Sequence, residues 1–151
     1  MHEYKCKIVR VVDGDTVDVD IDLGFSVVLK KQRIRLRGID TPESRTRDLE
    51  EKKFGIFAKH YVLYFLPLNE YATIRTYKDG RGKFGRILGD FVVYDHREDR
   101  ETTLVEMMLR DSIGVKYEGQ NKKEIAEKHL ENRKIVAADD YLQQYSHYIN
   151  N

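Results

Sequence analysis

The chain has 151 residues, of which 40% are apolar and 35% charged, a composition typical of one soluble domain with a highly charged surface. The 27 Lys and Arg residues nearly balance 26 Asp and Glu, so a formal net charge of +1 gives no sign of a generally basic surface. The single cysteine, Cys6, excludes an internal disulfide and a cysteine-based zinc site.

Two features of the sequence predict the cellular location of the protein. No apolar run approaches the roughly 20 residues that a membrane-spanning helix needs. Residues 1–7 contain no apolar signal-peptide core, so we expect a cytoplasmic protein, or one encoded by a phage or plasmid. We also expect a monomer without an obligate protein partner.

The first forty residues have the pattern of consecutive strands. Alternating or β-branched segments predict strands at residues 4–12, 17–23, 25–30 and 33–39. Tight turns at Asp13-Gly14-Asp15 and at Gly24 join the first three. Such a meander is typical of a small curled barrel. Two further strands, at residues 71–77 and 84–94, flank a glycine-rich turn.

The hydrophobic period lengthens after Asp48, which indicates helices. Apolar residues at positions 54, 57, 58, 61, 62 and 65 predict an amphipathic helix that ends before Pro67. Thr102 or Thr103 is predicted to cap a second helix. A third helix begins near Lys122, and its apolar positions drift around the helix, so we expect a kink or a projection beyond the barrel.

Arginines and carboxylates come together around the predicted strand at residues 33–39. Arg33, Arg35 and Arg37 share one face of this strand, where like charges repel, and the strand runs into Asp40 and Glu43. Such a grouping suits a phosphate and a metal ion better than it suits a fold. Each piece also has an ordinary structural interpretation, because Thr-Pro-Glu often opens a helical turn and a strand-edge arginine is usually solvated.

Asp15 adds a carboxylate from another part of the sequence, although Asp-Gly is also a common dipeptide in hairpin turns. Asp15 and Asp40, with a backbone carbonyl and waters, match the oxygen-rich shell of a hard cation such as Ca²⁺ or Mg²⁺. Arg35 and Arg86 are able to balance the charge of a phosphodiester with bidentate hydrogen bonds.

Three short motifs occur in an order that resembles the staphylococcal nuclease (thermonuclease) family over about residues 5–134. They are Asp13-Gly14-Asp15-Thr16, Arg35 with Asp40-Thr41-Pro42-Glu43, and Lys83-Phe84-Gly85-Arg86. The resemblance implies an α+β, mainly β, fold: a five-stranded OB-fold barrel with about three helices. It implies one domain over residues 1–151, with a core at about 4–134 and a helical C-terminal extension at 135–151.

The resemblance also implies a function. The implied activity is that of a Ca²⁺-dependent endonuclease that acts on DNA and RNA. It cleaves the P–O5′ bond and leaves 3′-phosphate and 5′-hydroxyl ends. The implied metal ligands are the carboxylates of Asp15 and Asp40 and the backbone carbonyl of Thr41, for Ca²⁺ or another hard divalent cation. The implied catalytic residues are the general base Glu43 and the phosphate-binding Arg35 and Arg86. The implied substrate contacts are Lys83, with a terminal phosphate, and Tyr117, with a stacked base.

The sequence departs from the family pattern at Phe84, where a tyrosine is common, and at Arg37, where the chain is usually more apolar. Two alternatives remain open. One is a catalytically silent OB-fold module that only binds nucleic acid, although such modules usually lose the site carboxylates or arginines. The other is an unrelated barrel that binds structural Ca²⁺, which leaves Arg35 and Arg86 without a role.

Overall fold

The computed structural model describes residues 1–81 and 87–148. Its strands are β1 (His2–Asp13), β2 (Thr16–Gly24), β3 (Val27–Leu36), β4 (Ile39–Asp40), β5 (Tyr71–Arg81), β6 (Ile87–Asp95), β7 (Arg100–Thr103) and β8 (Val115–Lys116). Neighbours pair antiparallel in the order β3-β2-β1-β5-β6-β7, and a parallel pairing of β3 with β6 closes the sheet. The predicted five-stranded OB-fold barrel is therefore confirmed, with β7 added outside it.

The structure corrects the predicted third and fourth strands, which form the single strand β3. Lys31 has a φ of 52°, yet pairing with β2 continues on both sides of it, through Leu29 and through Gln32. An irregularity of this kind bends a strand without ending it. β3 ends at Leu36, because Gly38, with a φ of 77°, turns the chain into β4.

Four α-helices are present in the described residues, rather than about three. They are α1 (Leu49–Phe65), α2 (Leu104–Arg110), α3 (Lys122–Ala138) and α4 (Asp140–Gln143), followed by a short 3₁₀ segment at Gln144–Tyr148. Asp48, after which the hydrophobic period changes, caps α1, and Thr103, one of the two residues predicted to cap the second helix, caps α2. The expected kink falls at Asp139, which ends α3 and caps α4. None of these helices is long and apolar enough to cross a membrane.

The C-terminal extension packs into the same hydrophobic core as the barrel. Tyr145 is only 2% exposed, and its ring lies 4.7 Å from that of Tyr61 and 5.1 Å from that of Tyr64 on α1. Leu142 and Val136 are buried in the same cluster. Aromatic pairs of this kind add to the free energy of burial. The extension therefore anchors α1, the helix that supports the loop described next.

Candidate active site

Two chain reversals meet at one end of the barrel. Asp15 lies in the β1–β2 turn, where its backbone carbonyl accepts a hydrogen bond from Leu36 N (2.8 Å) at the end of β3. Its carboxylate accepts from Thr16 Oγ1 (3.0 Å) and from Thr41 N (3.4 Å), just after β4. Asp15 is 8% exposed. These bonds fix the position of its carboxylate relative to the β3–β4 corner.

Arg35 connects this carboxylate to that of Asp40. Its Nη1 donates to the carbonyls of Leu36 (2.9 Å) and Ile39 (2.8 Å), which holds the guanidinium against the corner. Its Nη2 lies 3.5 Å from Asp15 Oδ2 and 3.9 Å from Asp40 Oδ1. The structure thus brings together three of the predicted site residues, and one guanidinium faces both carboxylates.

The other two arginines of the strand have different environments. Arg33 makes two hydrogen bonds to the Asp18 carboxylate, at 2.8 and 3.0 Å, on the outer face. Arg37 is exposed and lies 4.3 Å from the ring centroid of Tyr77. Both pairs offset the repulsion along the strand face. Only Arg35 is aimed at the cleft.

Glu43 lies in the loop between β4 and α1, near a crowd of carboxylates. Its backbone N–H donates to Glu51 Oε1 at 3.3 Å. Burial raises the pKa of the Glu43 carboxyl above its ordinary value. Neighbouring negative charges raise that pKa further, and they belong to Asp13, Asp15, Asp40 and Glu51. The cleft therefore holds several mutually repelling carboxylates, an arrangement that a bound cation would stabilise.

A glycine in α1 determines where this loop lies. A β-carbon at Gly55 would collide with the backbone carbonyl of Glu43 and would lie 2.6 Å from Ser44 N. The Ser44 hydroxyl in turn donates a hydrogen bond to Asp13. Gly55, which weakens the helical pattern in the sequence, is therefore the position at which the Glu43 backbone packs directly on α1.

We expect Gly55→Ala to lower the stability of the protein. In an open helix this substitution gains about 1 kcal/mol, but overpacking against backbone costs about 1–3 kcal/mol, so the free energy of unfolding should fall. Urea unfolding measures this effect. An increase in the free energy of unfolding would show that the loop does not rest on Gly55.

His129 on α3 contacts the site, which the sequence did not predict. Its Nε2 lies 2.8 Å from Asp40 Oδ2, while its Nδ1 is buried and has no hydrogen-bond partner among residues 1–81 and 87–148. An ionised carboxylate only accepts, so Nε2 carries the proton in this bond. No local pattern marks a single histidine 89 positions from its partner.

The donor set suits a hard cation. Every candidate ligand is an oxygen, from the carboxylates of Asp15 and Asp40 or from the backbone of Thr41, whose buried Oγ1 also has no partner in the part of the chain that the structure describes. Within residues 1–81 and 87–148, no three His, Cys, Asp or Glu side chains converge closely enough to hold a metal.

The predicted substrate contacts are only partly visible. Tyr117, just after β8, donates its N–H to Gly38 O at 2.9 Å. With Arg35 and Asp40 it lines a hollow of about 340 Å³. Lys83 and Arg86 lie outside the described residues. Arg35, Asp40 and Tyr117 therefore line one hollow, and Asp15 adjoins it through its contacts with Arg35 and Thr41.

The barrel and this cleft define an OB-fold protein with an acidic, arginine-containing site at one end. A family model described as staphylococcal nuclease homologue matches residues 33–143. The chain belongs to this family.

Three curated relatives match parts of the chain. Thermonuclease from Staphylococcus hyicus is 31% identical over 87 residues, which cover 58% of this chain and 47% of that protein. Endonuclease YhcR from Bacillus subtilis (strain 168) is 30% identical over 95 residues, covering 60% of this chain and 7% of that protein. Thermonuclease from Staphylococcus intermedius is 30% identical over 79 residues, or 52% of this chain and 43% of that protein. The match spans less than half the length of each relative.

Proposed function

We propose that this protein is an endonuclease that hydrolyses phosphodiester bonds of DNA and RNA with Ca²⁺ or another hard divalent cation. It cleaves the P–O5′ bond and leaves 3′-phosphate and 5′-hydroxyl ends. The observation that carries the proposal is the convergence of Arg35 Nη2 with the carboxylates of Asp15 and Asp40, at 3.5 and 3.9 Å. The printed names of the relatives, thermonuclease and endonuclease, support it.

Charge explains why these residues act on a phosphodiester. A phosphate oxygen that approaches the Arg35 Nη2 replaces its loose contacts with the two carboxylates by charge-assisted hydrogen bonds. The carboxylates of Asp15 and Asp40 and the Thr41 carbonyl would hold the cation. When bound, the cation supplies positive charge that offsets both the carboxylates and the phosphate.

Glu43 is the proposed general base. Its pKa is raised in the metal-free protein, and as the base it takes a proton from a water molecule whose oxygen attacks phosphorus. The new P–O bond forms as the P–O5′ bond breaks, and the departing oxygen takes a proton from water. Arg35 and Arg86 stabilise the charge that develops on the phosphate oxygens.

The decisive experiment follows fragment release from denatured DNA and from RNA with added Ca²⁺ and, separately, with a chelator. We expect cleavage with Ca²⁺ and none with the chelator, and end-group analysis should find 3′-phosphates. Folded protein that leaves both substrates intact with Ca²⁺ and with Mg²⁺ would overturn the proposal. Binding without cleavage would instead favour the silent nucleic-acid-binding module.

We expect His129→Ala to weaken Ca²⁺ binding, with about a tenfold higher Kd, because groups that orient metal ligands typically contribute at this scale. Without its hydrogen bond from Nε2, the Asp40 carboxylate is free to rotate away from the cleft. Isothermal titration calorimetry with Ca²⁺ measures the effect directly.

Asn132→Ala is the matched control for His129. Asn132 also attaches α3 to the barrel, through a hydrogen bond from its Nδ2 to Gly114 O at 3.1 Å, but does not contact Asp40. We expect the Ca²⁺ affinity of the Asn132→Ala variant to stay within about twofold of that of the unmodified protein. An equal loss of affinity in both variants would mean that His129 only anchors the helix.

A further inference from the structure

A groove of about 480 Å³ lies between α3 and the corner that leads into α1. Pro42 and Asp48 line one wall, and Ile125, Ala126 and Leu130 form an apolar wall along one face of α3. Leu130 is 54% exposed. The volume falls within the range of about 300–1,000 Å³ that is usual for small-ligand sites.

The groove is continuous with the candidate active site. Asp40 and Tyr117 line this groove and also the hollow of about 340 Å³ that contains Arg35. The two depressions therefore share a proposed metal ligand and an aromatic residue that is 47% exposed. A strand whose phosphate lies at these shared residues places one nucleoside in each depression.

The charges in the groove favour a base and sugar over a phosphate. Three acidic residues line it, Asp40, Asp48 and Glu51, and their carboxylates would repel a phosphate. Lys122 and Arg133 also line the groove and offset part of this negative charge, so the lining suits an uncharged base and sugar. An exposed aromatic ring such as that of Tyr117 is a surface on which bases stack without sequence preference, and the apolar wall of α3 adds contact area beside it.

We propose that this groove binds the nucleoside that lies across the scissile phosphate from the Arg35 hollow. The ligand class is a single-stranded DNA or RNA nucleotide, held mainly by its base. The inference rests on the proposed function and extends it, because it makes the site a two-nucleoside site. Substrates with nucleosides on both sides of the scissile phosphate then react better than those with one.

The test compares a dinucleoside phosphodiester with the two nucleoside methyl phosphodiesters, in which a methyl group replaces one nucleoside or the other. Leu130→Glu should lower kcat/KM for the dinucleoside substrate about tenfold, by losing base contacts and adding negative charge. It should not change kcat/KM for the methyl ester whose single nucleoside binds in the Arg35 hollow. Ile135→Glu is the matched control, since Ile135 is a 51% exposed residue of the same helix outside the groove.

A second measurement separates failure of this inference from failure of the proposed function. Fluorescence anisotropy with a labelled deoxythymidine oligonucleotide and a chelator reports binding without cleavage, and Leu130→Glu should raise Kd while Ile135→Glu should not. If the unmodified protein does not cleave any substrate and this difference in Kd still appears, the binding role of the groove is supported and the nuclease proposal is wrong. Equal effects of the two substitutions on either readout, or no effect of Leu130→Glu, would overturn the groove.

Discussion

Glu43→Gln should reduce kcat for DNA hydrolysis by roughly 10²–10⁴-fold, the usual contribution of a general base, with KM changed only a few-fold. Glutamine keeps the shape of the side chain but cannot take the proton from water. Initial rates over a range of denatured DNA concentrations, at saturating Ca²⁺, measure both constants. A kcat near that of the unmodified protein would show that another group acts as base.

The same substitution should not destabilise the metal-free protein. The pKa of Glu43 is raised in the folded state, so its stabilising contribution is present at low pH and is lost as the pH rises through the folded pKa. At neutral pH the ionised carboxylate therefore opposes folding, and neutral glutamine removes that repulsion. Urea unfolding should find equal or higher stability, which distinguishes lost chemistry from lost structure. Glu50→Gln, in the exposed first turn of α1, should leave the rate unchanged and lower stability by no more than about 1 kcal/mol, because it removes a favourable negative charge at the start of the helix.

Arg35→Lys should lower kcat/KM by roughly 10²–10³-fold, the loss seen when one preorganised donor to a transition state is removed. Nη1 holds two carbonyls of the β3–β4 corner while Nη2 faces the cleft, and one ammonium cannot occupy both positions. Lysine keeps the positive charge, so a large loss of kcat/KM would show that the geometry of the guanidinium is the cause.

Arg33→Lys is the control for this prediction because Arg33 lies two residues away on the same strand and binds Asp18 outside the cleft. We expect its kcat/KM to stay within about twofold, since an exposed ion pair contributes little. Similar losses in both variants would mean that Arg35 acts only through the general charge of the strand.

Local patterns were sufficient to predict most of the barrel strands and the regions of the main helices. Alternation in β2, a threonine cap at residue 102 or 103, and the end of α1 before Pro67 are all short-range signals. The continuity of β3 was missed because a break in alternation near Lys31 resembles a turn, whereas pairing with β2 holds the strand together. Membership of the nuclease family was predicted from ordered motifs and is confirmed.

The site was predicted only as far as its motifs reach. Asp15, Arg35, Asp40 and Thr41 do converge, although their roles and the Ca²⁺ requirement stay predictions. His129 and the α3 groove depend on how a helix packs on the far corner of the fold, which no local pattern specifies. Gly55 illustrates the same limit, because its effect on helix propensity is visible in the sequence but its contact with Glu43 is not.

The double pairing of β3 has a consequence for how activity is acquired during folding. Arg35 pairs with Thr16 of β2 in the antiparallel ladder and with Leu88 of β6 in the parallel one, so it lies where the pairing of β3 with β6 closes the barrel. These two strands are distant in sequence, and such long-range pairing is a slow step in folding. Partly folded chains therefore lack a working cleft, and recovery of nuclease activity during refolding should lag behind the formation of helical structure.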